Sequence, residues 1–392
     1  MTVRKPIYMD HNATTPVDRR VVEAMAPLWT EHFGNAASHT HAYGWAAARF
    51  AEKARATLAA AVGAQPEEII FTSGATEANN LALKGLAWAL HPHHAHLVTC
   101  ATEHKAVLDP CHALARAGFT VTVLPVDRDG RLDPARLREA LTPQTAVVSV
   151  MRANNETGTL QPVREVAAVC RERGVLIHCD ATQAVGKIPV NVDELGVDLM
   201  SFSAHKVYGP KGVGALYLRH RKPRIRLVPL LDGGGHERGV RSGTLDVPGV
   251  VGFARATEIA VAELAAESAR LAALRDRLQE AIRTRLDGVT VNGHPSQRLP
   301  NTLNASFHGV DGAALLVGLD EVAVASGSAC TSADPAPSHV LIAMGRSKTL
   351  AGASIRFSLG RSNTSAEVDT VAAAVIREVT RLRTQARAGR GS

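Results

Sequence analysis

From about residue 20 to residue 260, short apolar runs alternate with segments of helical period, and this alternation narrows the possible folds more than any other feature of the chain. Residues 97–100, 121–124, 146–150, 175–180, 197–202 and 214–218 read as strands, and residues 109–117, 133–140 and 162–173 as helices between them. Strands separated by helices predict an α/β fold with a mostly parallel sheet covered on both faces. In such sheets ligands collect beyond the carboxyl ends of the strands. Past residue 250 the pattern changes. Residues 250–286 form a long Ala/Leu/Arg/Glu-rich helical stretch with a change of direction, and 288–298 is rich in turn residues. Strands at 301–307 and 322–325, a helix at 337–344, a strand at 354–359 and a final helix at 366–384 follow, the last capped by Thr364 or Ser365 with Glu367 in its first turn. This second part reads as a smaller α+β domain.

Aromatic residues make up only 4% of the chain, so its cores must be built from Ala, Val and Leu. The net charge of +7 comes mostly from arginines dispersed through Ala-rich helices. Only residues 381–390 form a basic tail, and no aromatic residue interleaves with it. Solvated helix faces and a frayed terminus fit this better than direct nucleic-acid binding. An anionic substrate or an acidic protein partner also suits the sign. No segment approaches 18 uninterrupted apolar residues, and the first ten residues lack an apolar signal core, so a cytoplasmic protein is expected. The five cysteines are odd in number and lack Cys-x-x-Cys spacing, which argues against a disulfide framework or a zinc site. Cys100, Cys111, Cys170 and Cys179 lie in apolar patterns; Cys330 lies in a small, polar, flexible segment. The His-rich stretch at 91–96 reads as a surface connector.

The strand ends carry the chemistry. Ser203-Ala204-His205-Lys206 closes one apolar run and precedes the turn Tyr208-Gly209-Pro210-Lys211-Gly212. A lysine there suits covalent attachment of pyridoxal phosphate, with Ser203 and His205 in reach of phosphate oxygens. Phe71-Thr72-Ser73-Gly74-Ala75-Thr76 ends a strand and opens a helix, whose free N–H groups and dipole suit a phosphate. His178 and Asp180 share one face of a strand, with Asp180 at its carboxyl end, placed to pair with a protonated pyridine nitrogen. Gln183 follows within a turn and could reach the ring oxygen. Asn155 and His104 follow two further strand ends, His104 suited to stacking on the ring and moving protons. Each position also has an ordinary reading: a solvated lysine, a helix cap, a loop histidine.

Taken together, these motifs resemble the pyridoxal-phosphate cysteine desulfurases of the bacterial NifS/IscS type. The resemblance runs from Asp10-His11-Asn12-Ala13-Thr14-Thr15-Pro16 to Ile355-Arg356-Phe357-Ser358-Leu359-Gly360-Arg361, through Asn154-Asn155-Glu156-Thr157-Gly158, Gly233-Gly234-Gly235-His236-Glu237-Arg238-Gly239 and Ser326-Gly327-Ser328-Ala329-Cys330-Thr331-Ser332. It implies pyridoxal-phosphate fold type I, with residues 15–260 as the cofactor domain and 1–14 with 261–392 as a small domain carrying Cys330. It implies a homodimer in which Thr244 completes the neighbouring site. Lys206 matches the cofactor-bearing lysine, Asp180 the pyridinium partner, Gln183 and Asn155 the ring contacts, and His104 the stacking histidine. Thr76, Ser203 and His205 match phosphate ligands, with Ala75 beside Thr76 also at the cofactor. Arg356 and Asn155 match groups that hold the substrate carboxylate of L-cysteine, and Cys330 matches the nucleophile that carries sulfur to an acceptor protein. A selenocysteine lyase or an aminotransferase of the same fold, and a non-catalytic sulfur-delivery scaffold or nucleic-acid-binding partner, are the alternatives. Two departures stand out. Arg152 brings an unexpected cation before the Asn-Asn-Glu-Thr-Gly motif, and the segment after Cys330 is proline-rich.

Overall fold

A computed structural model describes residues 5–220, 222, 224–326 and 337–388. A short strand β1 (Ile7–Tyr8) precedes a seven-stranded sheet of β2 (Ile69–Thr72), β3 (His96–Cys100), β4 (Thr120–Leu124), β5 (Thr145–Ser149), β6 (Leu176–Asp180), β7 (Leu199–Ser203) and β8 (Gly214–Leu218). The strand order is β2-β8-β7-β6-β5-β3-β4. Strands β3 to β7 run parallel, as the alternation with helices predicts. Strand β8 is antiparallel to both β7 and β2. The chain between Ser203 and Gly214 is shorter than the crossover of about a dozen residues that a parallel pair requires. Strands β3, β5 and β7 are buried throughout and β6 from Ile177 onward, because helices cover both faces. One face packs on a cluster that includes Leu58, Phe71, Phe202 and Phe253. The other packs on Leu81, Leu83, Leu97 and Leu216.

A second core, around Met9, Leu278, Phe307, Phe357 and Val375, lies against an antiparallel sheet. Its strands are β9 (Val289–Asn292), β10 (Thr302–Phe307) and, after the two-residue β11 (Val322–Ala323), β12 (Ser354–Ser358), in the order β12-β10-β9. Strand β9 falls inside the stretch read from sequence as turns. Gly288 and Gly293, both at positive φ, bracket a four-residue alternating segment that β10 recruits. The long helical stretch does change direction, splitting at Glu263 into Val247–Ala262 and Leu264–Arg285. The last helix, Ser365–Ala388, is capped by Thr364, whose side chain accepts the Glu367 N–H while Glu367 accepts the Thr364 N–H. It outruns the expected boundary at residue 384. Residues 381–388 of the tail read as frayed continue this helix, and Arg383 donates to the carbonyls of Asp287 and His308.

The strand that leads into the Gly74 turn is fixed by a buried ion pair. Arg55 donates to both carboxylate oxygens of Glu237 at 2.8 Å, and the Phe71 N–H donates to Glu237 Oε2 at 2.8 Å. Both side chains are nearly sealed from solvent. Glu237→Ala would leave the Phe71 N–H without its acceptor and the buried Arg55 with only the Ile69 carbonyl and the exposed Glu52. It is expected to cost about 3–5 kcal/mol of stability, seen as a lower urea midpoint at unchanged slope.

Candidate active site

Five strand ends and the first residues of the chain converge on one cavity of about 500 Å³. Lys206 enters it from the 3₁₀ turn Ala204–Lys206 that directly follows β7. Its Nζ donates to the carbonyls of Asn12 and Ala13, each at 2.7 Å. Ser203 ends β7 with its hydroxyl 3.4 Å from the Val213 carbonyl. His205 Nδ1 lies 3.2 Å from Thr14 Oγ1. Burial, reinforced by Lys206, Lys211 and Lys187, drives the His205 pKa down to about 4, so its imidazole is neutral near pH 7.

Opposite Lys206, Gly74 turns the chain at φ +151° into the helix Ala75–Asn80. Gly214 of β8 packs against this turn so closely that a Cβ there would sit 2.7 Å from Gly74 Cα. The opening N–H groups of the helix have no partner within it, and Ala75 and Thr76 both line the cavity. Glu77 ties the turn down, accepting from the Ser73 N–H at 2.6 Å and from Arg241 Nε at 2.8 Å.

Asp180, at the end of β6, is 6% exposed. One oxygen accepts the Thr182 N–H at 2.9 Å and the other the Asn79 amide at 2.8 Å. The contact with Thr182 closes a turn rather than capping a helix, and Asp180 lines the cavity. Among the described residues no cation forms an ion pair with Asp180. His178, on the same face of β6, sits between the hydroxyls of Ser149 and Ser201 at 2.8 and 2.9 Å. Burial pushes its pKa down to about 4, so it is a neutral spacer beneath the site.

His104 caps the helix Lys105–Arg116, its Nδ1 accepting the Ala106 N–H at 3.0 Å. That contact puts the neutral ring's proton on Nε2, and burial lowers its pKa. This cap also explains why the helix begins at residue 105 rather than at 109. Gln183, Asn155 and Arg356 line the same cavity. Arg356 is 1% exposed; its Nη2 reaches Asp10 Oδ1 at 2.5 Å and its Nη1 the Asn155 carbonyl at 3.1 Å. Its buried Nε has no hydrogen-bond partner among the described residues.

Ala75, Thr76, His104, Asn155, Asp180, Gln183, Ser203, His205, Lys206 and Arg356 are thus brought together. Thr244 is exposed and does not line this cavity. Cys330 lies outside the described residues. Arg152, read as an extra cation near the site, is not among the lining residues. Its Nη1 donates instead to the Gln161 carbonyl at 2.8 Å. The sequence reading assigned no role to residues 10–14. They supply Asp10 to Arg356, two carbonyls to Lys206, and Thr14 to His205. Their signal was the polar run Asp-His-Asn-Ala-Thr-Thr ahead of the first helix.

The donor set fits pyridoxal phosphate. A buried carboxylate with only neutral partners suits a pyridinium, a helix opening flanked by hydroxyls suits a phosphate, and a lysine faces both across the cavity. The family described as aminotransferase class-V matches residues 7–371, and the chain belongs to it. It is 58% identical over 378 residues to the cysteine desulfurase IscS of Anaeromyxobacter sp. (strain Fw109-5), covering 96% of this chain and 93% of that one. A solved structure described as a NifS-like protein superposes with a TM-score of 0.89 at 40% identity, covering 96% of this chain and 100% of the other. Another, described as SspA in complex with cysteine, superposes with a TM-score of 0.80 at 36% identity over 90% of this chain and 98% of that one. Within the class-V family the chain is of the NifS/IscS cysteine desulfurase type, with pyridoxal-phosphate fold type I and dependence on that cofactor.

Proposed function

We propose that this chain takes sulfur from L-cysteine, leaves L-alanine, and carries the sulfur as a persulfide on Cys330 to an acceptor protein. The observation that carries the reading is the single cavity in which Lys206, Asp180, His104 and Arg356 meet. Ala75, Thr76, Ser203 and His205 would hold the cofactor phosphate, and Asp180, Gln183, Asn155 and His104 would hold the ring. When bound there, pyridoxal phosphate supplies a sink for the electron pair released at the substrate α-carbon. Arg356, kept in place by Asp10 and the Asn155 carbonyl, binds the substrate carboxylate through its fork. Lys206 Nζ takes the α-proton and returns a proton to the carbon skeleton. His104 Nε2, which carries the neutral ring's proton, serves the reacting sulfur as a hydrogen-bond donor. The Cys330 thiolate attacks the substrate sulfur, an S–S bond forms and the C–S bond breaks. The released pair is protonated on carbon, so L-cysteine and one enzyme thiol become L-alanine and one enzyme persulfide.

Residues 15–260 act as the cofactor unit, and residues 1–14 with 261–392 as the smaller unit carrying Cys330. We infer a homodimer in which Thr244 reaches the cofactor phosphate of a second copy. Two features support this. Thr244 is exposed, and Trp29, Tyr43 and Trp45 present large apolar surface from a segment whose Leu28 and Ala47 pack with Val247. We infer a cytoplasmic location; among the described residues no helix is long and apolar enough to cross a membrane. The test is a product balance. The cofactor-loaded protein, given L-cysteine and a thiol reductant, is expected to yield alanine and sulfide in equal amounts without a keto acid. Amino-group transfer to a keto acid, with no sulfide released, would refute the reading.

A further inference from the structure

Lys187 lies one turn beyond Gln183, behind the wall of the cavity. Its Nζ donates to Gln183 Oε1 at 2.5 Å and to Asn12 Oδ1 at 3.1 Å. Gln183 Nε2 donates to the Asn12 carbonyl at 2.9 Å, the carbonyl that also receives Lys206. The amide orientation is therefore determined from both ends. Turning it over would set an NH₂ against the Lys187 amine and a C=O against the Asn12 C=O. With Oε1 committed to Lys187 and one hydrogen of Nε2 to Asn12, Gln183 has a single N–H left for the cavity that it lines.

We propose that Lys187 is a positioning residue for the reaction, holding Gln183 as a hydrogen-bond donor to the anionic ring oxygen of the cofactor. The inference rests on reading the cavity as a pyridoxal-phosphate site. It does not depend on the charge of Lys187. Burial, with Lys206 and Arg356 nearby, lowers its pKa, but both of its partners are acceptors and a neutral amine donates to them as well. Lys187 also borders a second small space, where His11, Lys206, Tyr208, Glu263, Glu267 and Arg361 are the titratable or charged neighbours.

A donor at the ring oxygen weakens that oxygen's hold on the proton it shares with the Lys206 nitrogen. The test is the pH dependence of the bound cofactor's visible absorption. In Lys187→Met the midpoint is expected to rise by about one unit, and in Lys187→Arg to stay near that of the parent. Lys206, Arg356, His104, His205 and Asp180 in the cavity, and His11, Glu263 and Glu267 behind Lys187, are unchanged in both variants. A fully loaded Lys187→Met with an unmoved midpoint would overturn the proposal. If that variant does not fold, Gln183→Glu, which keeps an acceptor for Lys187 but loses the donor, should raise the midpoint; an unmoved midpoint there overturns it equally. A parent protein that takes up no pyridoxal phosphate would instead remove the reading on which the inference rests.

Discussion

Lys206→Ala is expected to lower sulfide production from L-cysteine by about 10³-fold or more, because one nitrogen both anchors the cofactor and moves the substrate proton. Three lysines lie near the cavity, and the geometry separates them. Lys211 lines it but belongs to the turn after β7. Lys187 stands behind the cavity wall, its amine taken up by Gln183 and Asn12. Lys206 alone of the three is held on paired carbonyls, Asn12 and Ala13, at the carboxyl end of β7. Borohydride reduction of the loaded parent, followed by peptide mass spectrometry, should place the cofactor on Lys206. The same treatment of Lys206→Ala should leave no labelled peptide. Label on Lys187 or Lys211 in the parent would displace the assignment. A variant that keeps full turnover would do so too.

The parallel sheet was legible because each buried strand is an apolar run bounded by a helix, and burial on both faces leaves that imprint in the sequence. The antiparallel pairing of β8 with β2 was not, since it joins segments far apart in the chain with no covalent clue to their direction. Strand β9 was hidden by its glycine-bracketed shortness. In the site, side chains that act through their own chemistry were legible: an amine, a carboxylate, an imidazole, a guanidinium. The contribution of Asn12 and Ala13 was not, because it is made by backbone carbonyls, which every residue possesses. Asp10 escaped for a different reason. Its partner Arg356 lies at the opposite end of the sequence, and the pairing of Met9 and Asp10 with Ser358 brings the two together.

Cys330→Ser is expected to leave cofactor binding and the first spectral change on adding L-cysteine intact, while sulfide release falls by about 10³-fold or more. The distinction follows from where the parts are fixed. Apart from Thr244 of a second copy, the groups proposed to hold cofactor and substrate line the cavity of strand ends, and none of them is the thiol. The chain on either side of the 327–336 segment is fastened to that same cavity. Ala325 pairs with Arg356 through backbone hydrogen bonds, the Arg356 N–H reaching the Ala325 carbonyl at 2.8 Å. Ser338 bonds the buried carboxyl of Glu156, next to Asn155, and His339 Nε2 lies 2.9 Å from the carbonyl of Glu103, next to His104. The other cysteines offer no substitute. Cys100, Cys111, Cys170 and Cys179 are buried, and burial pushes their thiols up to about 12 or beyond, far from the thiolate form that attacks sulfur. This leaves Cys330 as the proposed sulfur carrier. The decisive measurement follows sulfide under reductant together with the absorption change in the same sample. Loss of both signals would make Cys330 a structural residue, and retention of both would show that sulfur leaves the substrate without Cys330 as its carrier.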